Sequence, residues 1–170
     1  MKDISFRNDV LPLKNKLFRL AMRITLNREE AEDIVQDTLI KVWNNREQWQ
    51  EIDSIEAYCY KIAHNLSLDH LKKAENQNDS LENIQIERAD TSSNPYEKML
   101  QTDKISQIKQ LVDALPEKQK SCMQLRDFEG KSYKDIAQIL DMTEEQVKVN
   151  IFRARQAIKN KYKELDNYGL

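Results

Sequence analysis

The residues of this sequence best suited to chemistry are the cations of one predicted helix near the C-terminal end. Between Lys148 and Lys163 the sequence contains no acidic residue. The cations of this stretch are Lys148, Arg153, Arg155, Lys159, Lys161 and Lys163. Lysine and arginine side chains neutralise phosphate groups, so a concentration of them on one element attracts a nucleic-acid backbone. The composition of this helix therefore predicts a contact with nucleic acid.

The segment around these cations predicts two helices joined by a tight turn. Asp141 and Met142 form the turn, and Thr143 followed by Gln146 is the capping-box pattern that opens a helix. The apolar face of the first helix is Ile136, Ala137, Ile139 and Leu140. The stripe predicted to be buried on the second helix is Val147, Ile151, Ala154 and Ile158. This arrangement is typical of a helix-turn-helix, whose second helix enters the major groove. A helical hairpin that only faces solvent is the alternative.

The composition favours an all-α protein built from two small helical domains joined by a flexible linker, the C-terminal one containing the helix-turn-helix. The chain has 170 residues, of which 39% are hydrophobic and 33% are charged, so one large core is not expected. With 2 Gly and 3 Pro there are few residues to interrupt helices. The predicted fold class is therefore all-helical.

Several features predict a cytoplasmic protein without cofactor or metal. No apolar run approaches the roughly 18 residues of a membrane span, so membrane insertion is not expected, and the N-terminal residues lack a signal-peptide core. Cys59 and Cys122 have no metal-ligand spacing and are expected to be reduced thiols. His64 and His70 lie in no ligand constellation, and no glycine-rich phosphate loop or nucleophile motif is present. Catalysis is not expected.

Charge is unevenly distributed along the chain. The net charge is −2, but acidic residues are concentrated in the stretch 76–97 and cations in the stretch 98–170. The stretch 76–97 is polar, shows no helical stripe and is predicted to be a flexible linker between the domains 1–75 and 98–170. Because the whole protein is acidic, it is expected to hold DNA weakly alone and to need a larger partner.

The N-terminal domain is predicted to contain three or four helices. The first runs from about Pro12 to Leu26 and the second from Ala31 to Trp43. The buried stripe of the second is predicted to be Ala31, Ile34, Val35, Thr38, Leu39, Val42 and Trp43. Its other face carries Glu32, Asp33, Gln36 and Asp37. Attraction of acids to a helix N-terminus explains Glu32 and Asp33 but leaves Gln36 and Asp37 unexplained.

A third helix is predicted to follow the loop from Arg46 to Ser54, with Ser54 as its N-cap. The residues predicted to be buried are Ile55, Tyr58, Cys59, Ile62 and Leu66. The residues predicted to face solvent or a partner are Tyr60, Lys61, His64, Asn65, His70, Lys72 and Lys73. Rings, amides and cations on one face suit single-stranded nucleic acid, because bases stack on rings while phosphates contact cations. A mixed polar face is, however, also the commonest kind of helix surface.

Taken in order, four segments of the chain resemble a bacterial extracytoplasmic-function sigma factor of the sigma-seventy family. They are AEDIVQDTLIKVW, YKIAHNLSLDHLKK, LPEKQKSCMQLRDFEGKSYKDIAQIL and VKVNIFRARQAIK, with the acidic linker between the second and the third. The resemblance covers the chain from about Leu11 to Leu165. It implies a specificity subunit that binds core RNA polymerase and recognises the minus-ten and minus-thirty-five promoter elements.

In the N-terminal domain the resemblance implies two binding surfaces. Glu32, Asp33, Gln36 and Asp37 match the positions that dock on the clamp helices of the polymerase beta-prime subunit. The part that captures an unstacked base of the minus-ten element matches the loop from Trp49 to Ser54 and the helix after it. Within that helix Asn65 sits at a base-contacting position, and Lys61, Lys72 and Lys73 are expected to contact phosphates. A flipped base needs amide hydrogen bonds and stacking walls, which agrees with this match.

In the C-terminal domain the resemblance implies that the second helix of the helix-turn-helix reads the minus-thirty-five element. Lys148, Val149, Phe152 and Arg153 match its groove-facing side, where Lys and Arg pair with guanine and Val and Phe suit thymine methyl groups. Arg155 and Lys159 are expected to hold phosphates. For Val149 and Phe152 the alternative is packing against the preceding helix. Leu115-Pro116 and the predicted helix from Glu117 to Phe128 resemble the part that grips the flap tip of the beta subunit.

Some residues depart from the family pattern. Asp141 occupies a turn position that is often Gly, and Asn150 stands where relatives often have a cation. Glu144 and Glu145 open the reading helix and repel DNA. These departures predict a weak or unusual minus-thirty-five preference. An anti-sigma factor is a further candidate partner, and the free protein is expected to be a monomer. The competing function is a stand-alone helix-turn-helix regulator, which would not explain the polar face of the second helix.

Overall fold

A computed structural model describes residues 3–78 and 105–167 of the chain. The chain divides into two compact units, Met1–Ala89 and Asp90–Leu170. Regular secondary structure in the described ranges is helical, which confirms the predicted all-α fold class. Most of the predicted linker, 79–97, lies outside the described residues. Its first residues, 76–78, belong to a helix, because extending a helix that packing has already nucleated costs little.

The N-terminal unit is a three-helix arrangement in which every helix packs against the other two. Its α-helices are α1 (Lys14–Thr25), α2 (Arg28–Asn44) and α3 (Ile55–Asn78). Before α1 lies the N-terminal arm, Phe6–Leu13, which consists of a π-helical turn over Phe6–Val10 and a 3-10 turn over Leu11–Leu13. The predicted loop between α2 and α3 is partly regular, because Arg46–Glu51 forms a 3-10 helix. We call the residues Asn45–Ser54 the α2–α3 connection.

Local signals explain where these helices begin and end. The backbone of Leu26 is left-handed, with φ 55°, and this residue ends α1. The side chain of Asn27 then accepts a hydrogen bond from the N–H of Glu30 at 3.1 Å and starts α2. Ser54 caps α3 as predicted, since its Oγ accepts a hydrogen bond from the N–H of Ala57 at 3.1 Å. The long helices are therefore bounded by their own sequence.

The buried stripe of α2 was predicted correctly except at Leu39, which is only half-buried, and at Trp43. Ala31, Ile34, Val35, Thr38 and Val42 are buried, but the prediction for Trp43 is wrong because its side chain is 45% exposed. Trp43 is the second-last residue of α2, which ends at Asn44. Its side chain contacts the aromatic rings of Phe6 and Trp49 instead of the helical core. The end of α2 is thus part of a separate aromatic contact.

The predicted division of α3 into a buried and an open face needs a larger correction. Tyr60 and His64 were expected to face solvent or a partner, yet Tyr60 is fully buried and His64 is 5% exposed. Four residues expected in the core are only half-buried: Ile55, Tyr58, Ile62 and Leu66. The reason is that α3 packs against both α1 and α2. The small buried residues Ala57, Ala63 and Ser67 leave room for larger neighbours on that face.

Both cysteines are buried free thiols, one in each unit. Burial raises the pKa of Cys59 to about 12, and the nearby carboxylate of Glu56 acts in the same direction. Burial alone raises the pKa of Cys122 to about 11. A raised thiol pKa keeps the reactive thiolate scarce at neutral pH, so these cysteines serve as small core residues.

The C-terminal unit also consists of packed helices. They are α4 (105–113), α5 (Glu117–Met123), α6 (Tyr133–Leu140) and α7 (Glu144–Asn167). A π-helical turn over Gln124–Phe128 continues α5, so the predicted helix from Glu117 to Phe128 is confirmed with a change of winding in its second half. The long helix α7 packs against both α5 and α6. The core includes Val112, Met123, Leu125, Ile136, Ile139, Val147, Ile151 and Ala154.

The predicted helix-turn-helix is present in α6, α7 and the turn between them. Asp141 adopts the left-handed backbone conformation, with φ 54°, and its N–H bonds to the carbonyl of Ala137. The capping box is reciprocal: the N–H of Gln146 donates to Thr143 Oγ1 at 3.1 Å, and the N–H of Thr143 donates to Gln146 Oε1 at 3.0 Å. Such a cap contributes about 1 kcal/mol to helix stability. The orientation of α7 is thereby fixed from its first turn.

Candidate functional site

The polar face of α2 is an exposed surface that its core packing leaves free. Glu32, Asp33, Gln36 and Asp37 are exposed, while the buried stripe faces α1 and α3. Glu32 forms an ion pair with Arg28, with 3.1 Å between Oε1 and Nε. Both partners are open to water, so this pair contributes little to the stability of the unit. The four side chains are thus accessible from solvent and do not take part in the core.

Sequence reasoning overlooked Ile40 on the same surface. Ile40 lies one helical turn beyond Asp37 and two turns beyond Asp33 on α2. Its side chain is 56% exposed. An exposed aliphatic residue beside acidic ones is typical of a protein-binding surface, where an apolar centre is surrounded by polar groups. The sequence could have indicated this exposed residue, because Ile40 is apolar but falls outside the stripe predicted to be buried on α2. The surface therefore combines negative charge with an apolar contact.

The predicted minus-ten residues do not all lie on the surface. Trp49 is only 8% exposed, and its indole Nε1–H donates a hydrogen bond to the carbonyl oxygen of Val42 at 3.0 Å. Ser54 is half-buried, and its hydroxyl caps α3. These two residues therefore hold the shape of the α2–α3 connection. A direct contact of the Trp49 ring with a base, as the sequence suggested, would require the ring to leave this site.

The remaining residues predicted to contact the minus-ten element are on α3. Asn65, Lys72 and Lys73 are exposed, and Lys61 is half-buried. By helical spacing Lys61, Asn65 and Lys72 fall on one stripe, so an amide lies between two cations along the helix. With Tyr60 and His64 in the core, the surface available for nucleic acid is narrower than the sequence suggested. It carries amide and ammonium groups.

Two apolar residues of α7, Val149 and Phe152, could either pack against α6 or face solvent, and the structure shows that both face solvent. The side chain of Phe152 is 63% exposed and that of Val149 is 44% exposed, so neither is buried against α6. Arg153 is exposed beside them. The buried stripe Val147, Ile151, Ala154 and Ile158 faces the other way, as predicted. One open face of α7 therefore has apolar and cationic side chains together, which suits the edges of base pairs.

Lys148 is held by an aromatic ring. Its ammonium group lies 5.4 Å from the ring centre of Tyr133, the first residue of α6. The guanidinium of Arg126 lies 4.4 Å from the same ring and donates a hydrogen bond to the carbonyl of Lys131 at 2.9 Å. Cation–π attraction of this kind directs a lysine side chain without removing its charge. Lys148 is thus guided along the side of α7 that faces α6.

Arg155, which the sequence assigned to a phosphate contact, is already paired within the protein. Its guanidinium makes two hydrogen bonds to the carboxylate of Asp127, one from Nε to Oδ2 at 3.2 Å and one from Nη2 to Oδ1. The hydrogen bond to Asp127 raises the pKa of Arg155. Lys159, one turn further along α7, is exposed. Asp127 is a functional candidate that sequence reasoning missed.

Two kinds of feature are absent from residues 3–78 and 105–167. No helix there is both long and apolar enough to cross a lipid bilayer. No group of three or more His, Cys, Asp and Glu side chains is placed there to hold a metal ion.

Comparison with known protein families gives two matches, one in each unit. The family described as sigma-70 region 2 matches residues 10–77, and the family described as sigma-70, region 4, matches residues 105–158. Each match contains surfaces described above. The first includes the polar face of α2 and the α2–α3 connection, and the second includes the helix-turn-helix.

Curated relatives match over most of the chain. The ECF RNA polymerase sigma-E factor of Haemophilus influenzae is 30% identical over 161 residues, which are 89% of this chain and 84% of the relative. The RNA polymerase sigma-H factor of Pseudomonas aeruginosa is 28% identical over 157 residues, covering 88% of this chain and 81% of the relative. The likeness therefore extends across both units.

Two solved structures share the fold. The sigma factor RpoE of Bartonella quintana, crystallised with the anti-sigma factor NepR, has a TM-score of 0.68 at 23% identity and covers 93% of this chain and 96% of its own. CnrH, in complex with the cytosolic domain of CnrY, has a TM-score of 0.63 at 17% identity and covers 94% of this chain and 88% of its own. At these identities the likeness concerns the fold.

Proposed function

The chain belongs to the extracytoplasmic-function group of sigma-70 RNA polymerase sigma factors, and we propose that its two units divide promoter recognition between them. The protein acts in promoter-directed initiation of transcription, and its family is not a family of enzymes. Residues 1–75 serve as region 2, 76–97 as the linker and 98–170 as region 4. The observation that carries this proposal is that a capped helix-turn-helix with an open cationic face accompanies a separate acidic face on α2.

The acidic face of α2 docks on the clamp helices of the polymerase beta-prime subunit. Glu32, Asp33, Gln36 and Asp37 supply charge and hydrogen bonds, and Ile40 supplies an apolar contact. What supports this role is their exposure on a helix whose opposite face is fully used in the core. In the C-terminal unit, Leu115-Pro116 and the helical segment Glu117–Phe128 bind the flap tip of the beta subunit. The two contacts together bring weakly DNA-binding units to the promoter.

The α2–α3 connection and α3 recognise the melted minus-ten element. Asn65 hydrogen-bonds an extruded base, and Lys61, Lys72 and Lys73 contact the strand's phosphates. Trp49 and Ser54 act indirectly in this proposal, because their side chains are committed to the carbonyl of Val42 and to the N-terminus of α3. They hold the connection in the shape that receives the base.

In the minus-thirty-five complex α7 lies in the major groove. Arg153 and Lys148 donate hydrogen bonds to base edges, and Val149 and Phe152 contact thymine methyl groups. Lys159 contacts a phosphate, and Arg155 does so in competition with its pairing to Asp127. The support for this division is the open position of Val149, Phe152 and Arg153 on one side of α7.

We also propose an anti-sigma factor as a partner and the cytoplasm as the place of action. Two proteins of the same fold form complexes of this kind, RpoE with the anti-sigma factor NepR and CnrH with the cytosolic domain of CnrY. RNA polymerase is the target of the proposed contacts, so the protein acts where the polymerase is. The free form is proposed to be a monomer.

Reconstituted transcription tests the proposed function against a stand-alone regulator. The purified chain is mixed with core RNA polymerase and a pool of promoter fragments with random sequence, and run-off transcripts are sequenced. We expect transcripts that depend on the chain and share two sequence elements upstream of their start. The chain alone should retain no duplex in a gel-shift experiment. Tight duplex binding without core polymerase, together with no chain-dependent transcript, would support a stand-alone regulator.

The ion pair between Asp127 and Arg155 gives a further prediction. In Asp127→Asn the carboxylate that competes with DNA for Arg155 is lost, together with its repulsion of phosphates. Because the pair is largely exposed, with side-chain exposures of 51% and 37%, the stability of the unit should hardly change. The holoenzyme should bind all duplexes about threefold more tightly, whatever their sequence. Fluorescence anisotropy with promoter and non-promoter duplexes at several salt concentrations measures this effect.

Asp113→Asn is the matched control for that variant. It removes the carboxylate of another ion pair in the same unit, with 3.7 Å between Asp113 Oδ1 and Lys120 Nζ, on helices other than α7. We expect no change in duplex affinity for this control. Weaker binding by Asp127→Asn would mean that Asp127 orients Arg155 for DNA instead of competing with it.

A further inference from the structure

Three aromatic rings in the N-terminal unit form one contact, which we call the aromatic cluster: Phe6, Trp43 and Trp49. Phe6 meets Trp43 edge to face with 5.3 Å between ring centroids. It lies parallel to Trp49, with an interplanar angle of 5° and 6.5 Å between centroids. The two indoles meet edge to face at 6.3 Å. Each of the three rings thus touches both others, in arrangements that aromatic pairs prefer.

The cluster joins three segments that are separate in sequence. Phe6 belongs to the N-terminal arm, Trp43 to the end of α2, and Trp49 to the α2–α3 connection. Arg46 adds to the contact, because its guanidinium lies 4.5 Å from the centre of the Trp43 ring and donates a hydrogen bond to the carbonyl of Trp43 at 3.1 Å. The connection is therefore fixed to α2 and to the arm through the same rings.

The arm is itself a defined structure and not a loose end. The N–H of Ser5 donates to the carboxylate of Asp9 at 2.7 Å, and the N–H of Asn8 donates to Ser5 Oγ at 3.2 Å. Val10 is fully buried, and the arm contacts α3. Phe6 is thus presented to the indoles from a capped turn that is anchored on the helical core.

The α2–α3 connection is also held at its two ends, where Asn45 Nδ2 donates a hydrogen bond to the hydroxyl of Tyr58 at 3.0 Å and the hydroxyl of Ser54 caps α3. Its regular part, Arg46–Glu51, is a 3-10 helix, which has weaker hydrogen-bond geometry than an α-helix. Within Arg46–Glu51 every residue is exposed except Trp49. The Trp49 ring therefore anchors the middle of the connection. The Trp49 ring is fixed by its hydrogen bond to the carbonyl of Val42, and the Phe6 ring lies parallel to it with 6.5 Å between centroids.

We propose that Phe6 is a positioning residue for minus-ten recognition: the N-terminal arm, through the aromatic cluster, sets the shape of the α2–α3 connection that receives the extruded base. This inference rests on the proposed function of that connection. It adds a residue outside the matched region-2 segment, which begins at residue 10. Phe6 touches no DNA in this proposal and acts only through Trp49 and Trp43.

The test compares variants of the arm in the reconstituted holoenzyme. Phe6→Ala removes the ring, Phe6→Tyr keeps it, and Phe6→Leu keeps apolar volume without aromatic stacking. Leu11→Ala is the control, because Leu11 belongs to the same arm, is 40% exposed and lies outside the aromatic cluster. Promoters are first selected from a random-sequence pool by the wild-type holoenzyme, and each selected promoter is then changed at single minus-ten positions. Strand opening is followed by 2-aminopurine fluorescence.

We expect Phe6→Ala to lower discrimination between selected and altered minus-ten elements roughly tenfold, the size that loss of two aromatic contacts predicts. Affinity for core polymerase should remain unchanged. Phe6→Tyr should restore discrimination, Phe6→Leu should be intermediate, and Leu11→Ala should match the wild type. The two tryptophans of the chain both lie in the cluster, so their emission should shift to the red in Phe6→Ala and not in Leu11→Ala.

The outcomes separate this inference from the proposed function. A wild-type holoenzyme that selects no minus-ten element would overturn the proposed function itself. A wild-type holoenzyme that selects one, with equal discrimination by Phe6→Ala, would overturn only the role of Phe6. Equal losses of minus-ten discrimination in Phe6→Ala and Leu11→Ala would also overturn the role of Phe6. The arm would then act only through the stability of the unit. If Phe6→Ala does not fold, the inference is tested by comparing the minus-ten discrimination of Phe6→Leu with that of Phe6→Tyr. Equal discrimination by these two variants would reject positioning by the aromatic ring.

Discussion

Replacing both Asp33 and Gln36 by alanine is expected to abolish detectable binding to core RNA polymerase. The two side chains are exposed on the face of α2 that packs against neither α1 nor α3. Residues at the centre of a protein interface often cost about 2 kcal/mol each when truncated, so a double replacement should weaken binding by roughly three orders of magnitude. A pull-down of core polymerase with the tagged chain, followed by a titration in solution, measures the loss.

The fold of the double variant should be intact, and a matched control can show this. Replacement of exposed helical residues by alanine changes the free energy of unfolding by about 0.5 kcal/mol or less. Glu75→Ala with Asn76→Ala likewise removes one carboxylate and one amide, from exposed positions near the end of α3. We expect this control to bind core polymerase like the wild type, and both double variants to unfold at similar temperatures. Unchanged core affinity in the α2 variant would remove the proposed docking surface.

The helix-turn-helix could be predicted from the sequence because its determinants are local. Thr143 and Gln146 are three positions apart and bond each other's backbone groups, as the capping pattern required. The turn at Asp141 and the stripe from Val147 to Ile158 likewise depend on residues within one or two helical turns. Helical spacing fixes such geometry before any tertiary contact forms. The same holds for Ser54 at the start of α3.

The buried face of α3 could not be predicted in this way. An apolar stripe identifies the core face when a helix packs against one neighbour, and the aliphatic residues Ile62 and Leu66 formed such a stripe. Because α3 packs against two helices, the face that the fold buries contains Tyr60, His64 and small residues instead. The buried side of α3 was decided by the helices that pack against it. The apolar stripe of α3 carries no information about those helices.

The contacts that modify the candidate sites join residues that are far apart in sequence. Asp127 and Arg155 are separated by 28 positions, and no periodic pattern pairs them. Phe6 reaches Trp49 only because the arm folds onto the end of α2. The sequence assigned Trp49 and Arg155 to contacts with DNA and gave no sign of their partners within the protein. Those partners, the carbonyl of Val42 and the carboxylate of Asp127, follow from tertiary structure alone.

The last prediction separates base contacts from phosphate contacts on α7. Arg153→Ala should weaken recognition of the minus-thirty-five element by about 1–3 kcal/mol and relax the preference at one base pair, as loss of a bidentate contact to guanine does. Lys159→Ala should weaken binding to all duplexes alike and lower the salt slope by about 1, because a phosphate contact carries no sequence information. Both side chains are exposed, so neither change should affect folding.

Holoenzymes with each variant are compared on promoter fragments that carry every single base-pair change in the minus-thirty-five element. Gln156→Ala is the control, since it shortens an exposed, uncharged side chain on the same helix. For Arg153→Ala the affinities of one position should become nearly equal for all four base pairs, while other positions keep their order. For Lys159→Ala the order should be kept at every position and all affinities should fall together. The same sequence-independent loss of duplex affinity in both variants would mean that Arg153 also contacts a phosphate. Base recognition would then depend on the other side chains assigned to the groove, which are Lys148, Val149 and Phe152.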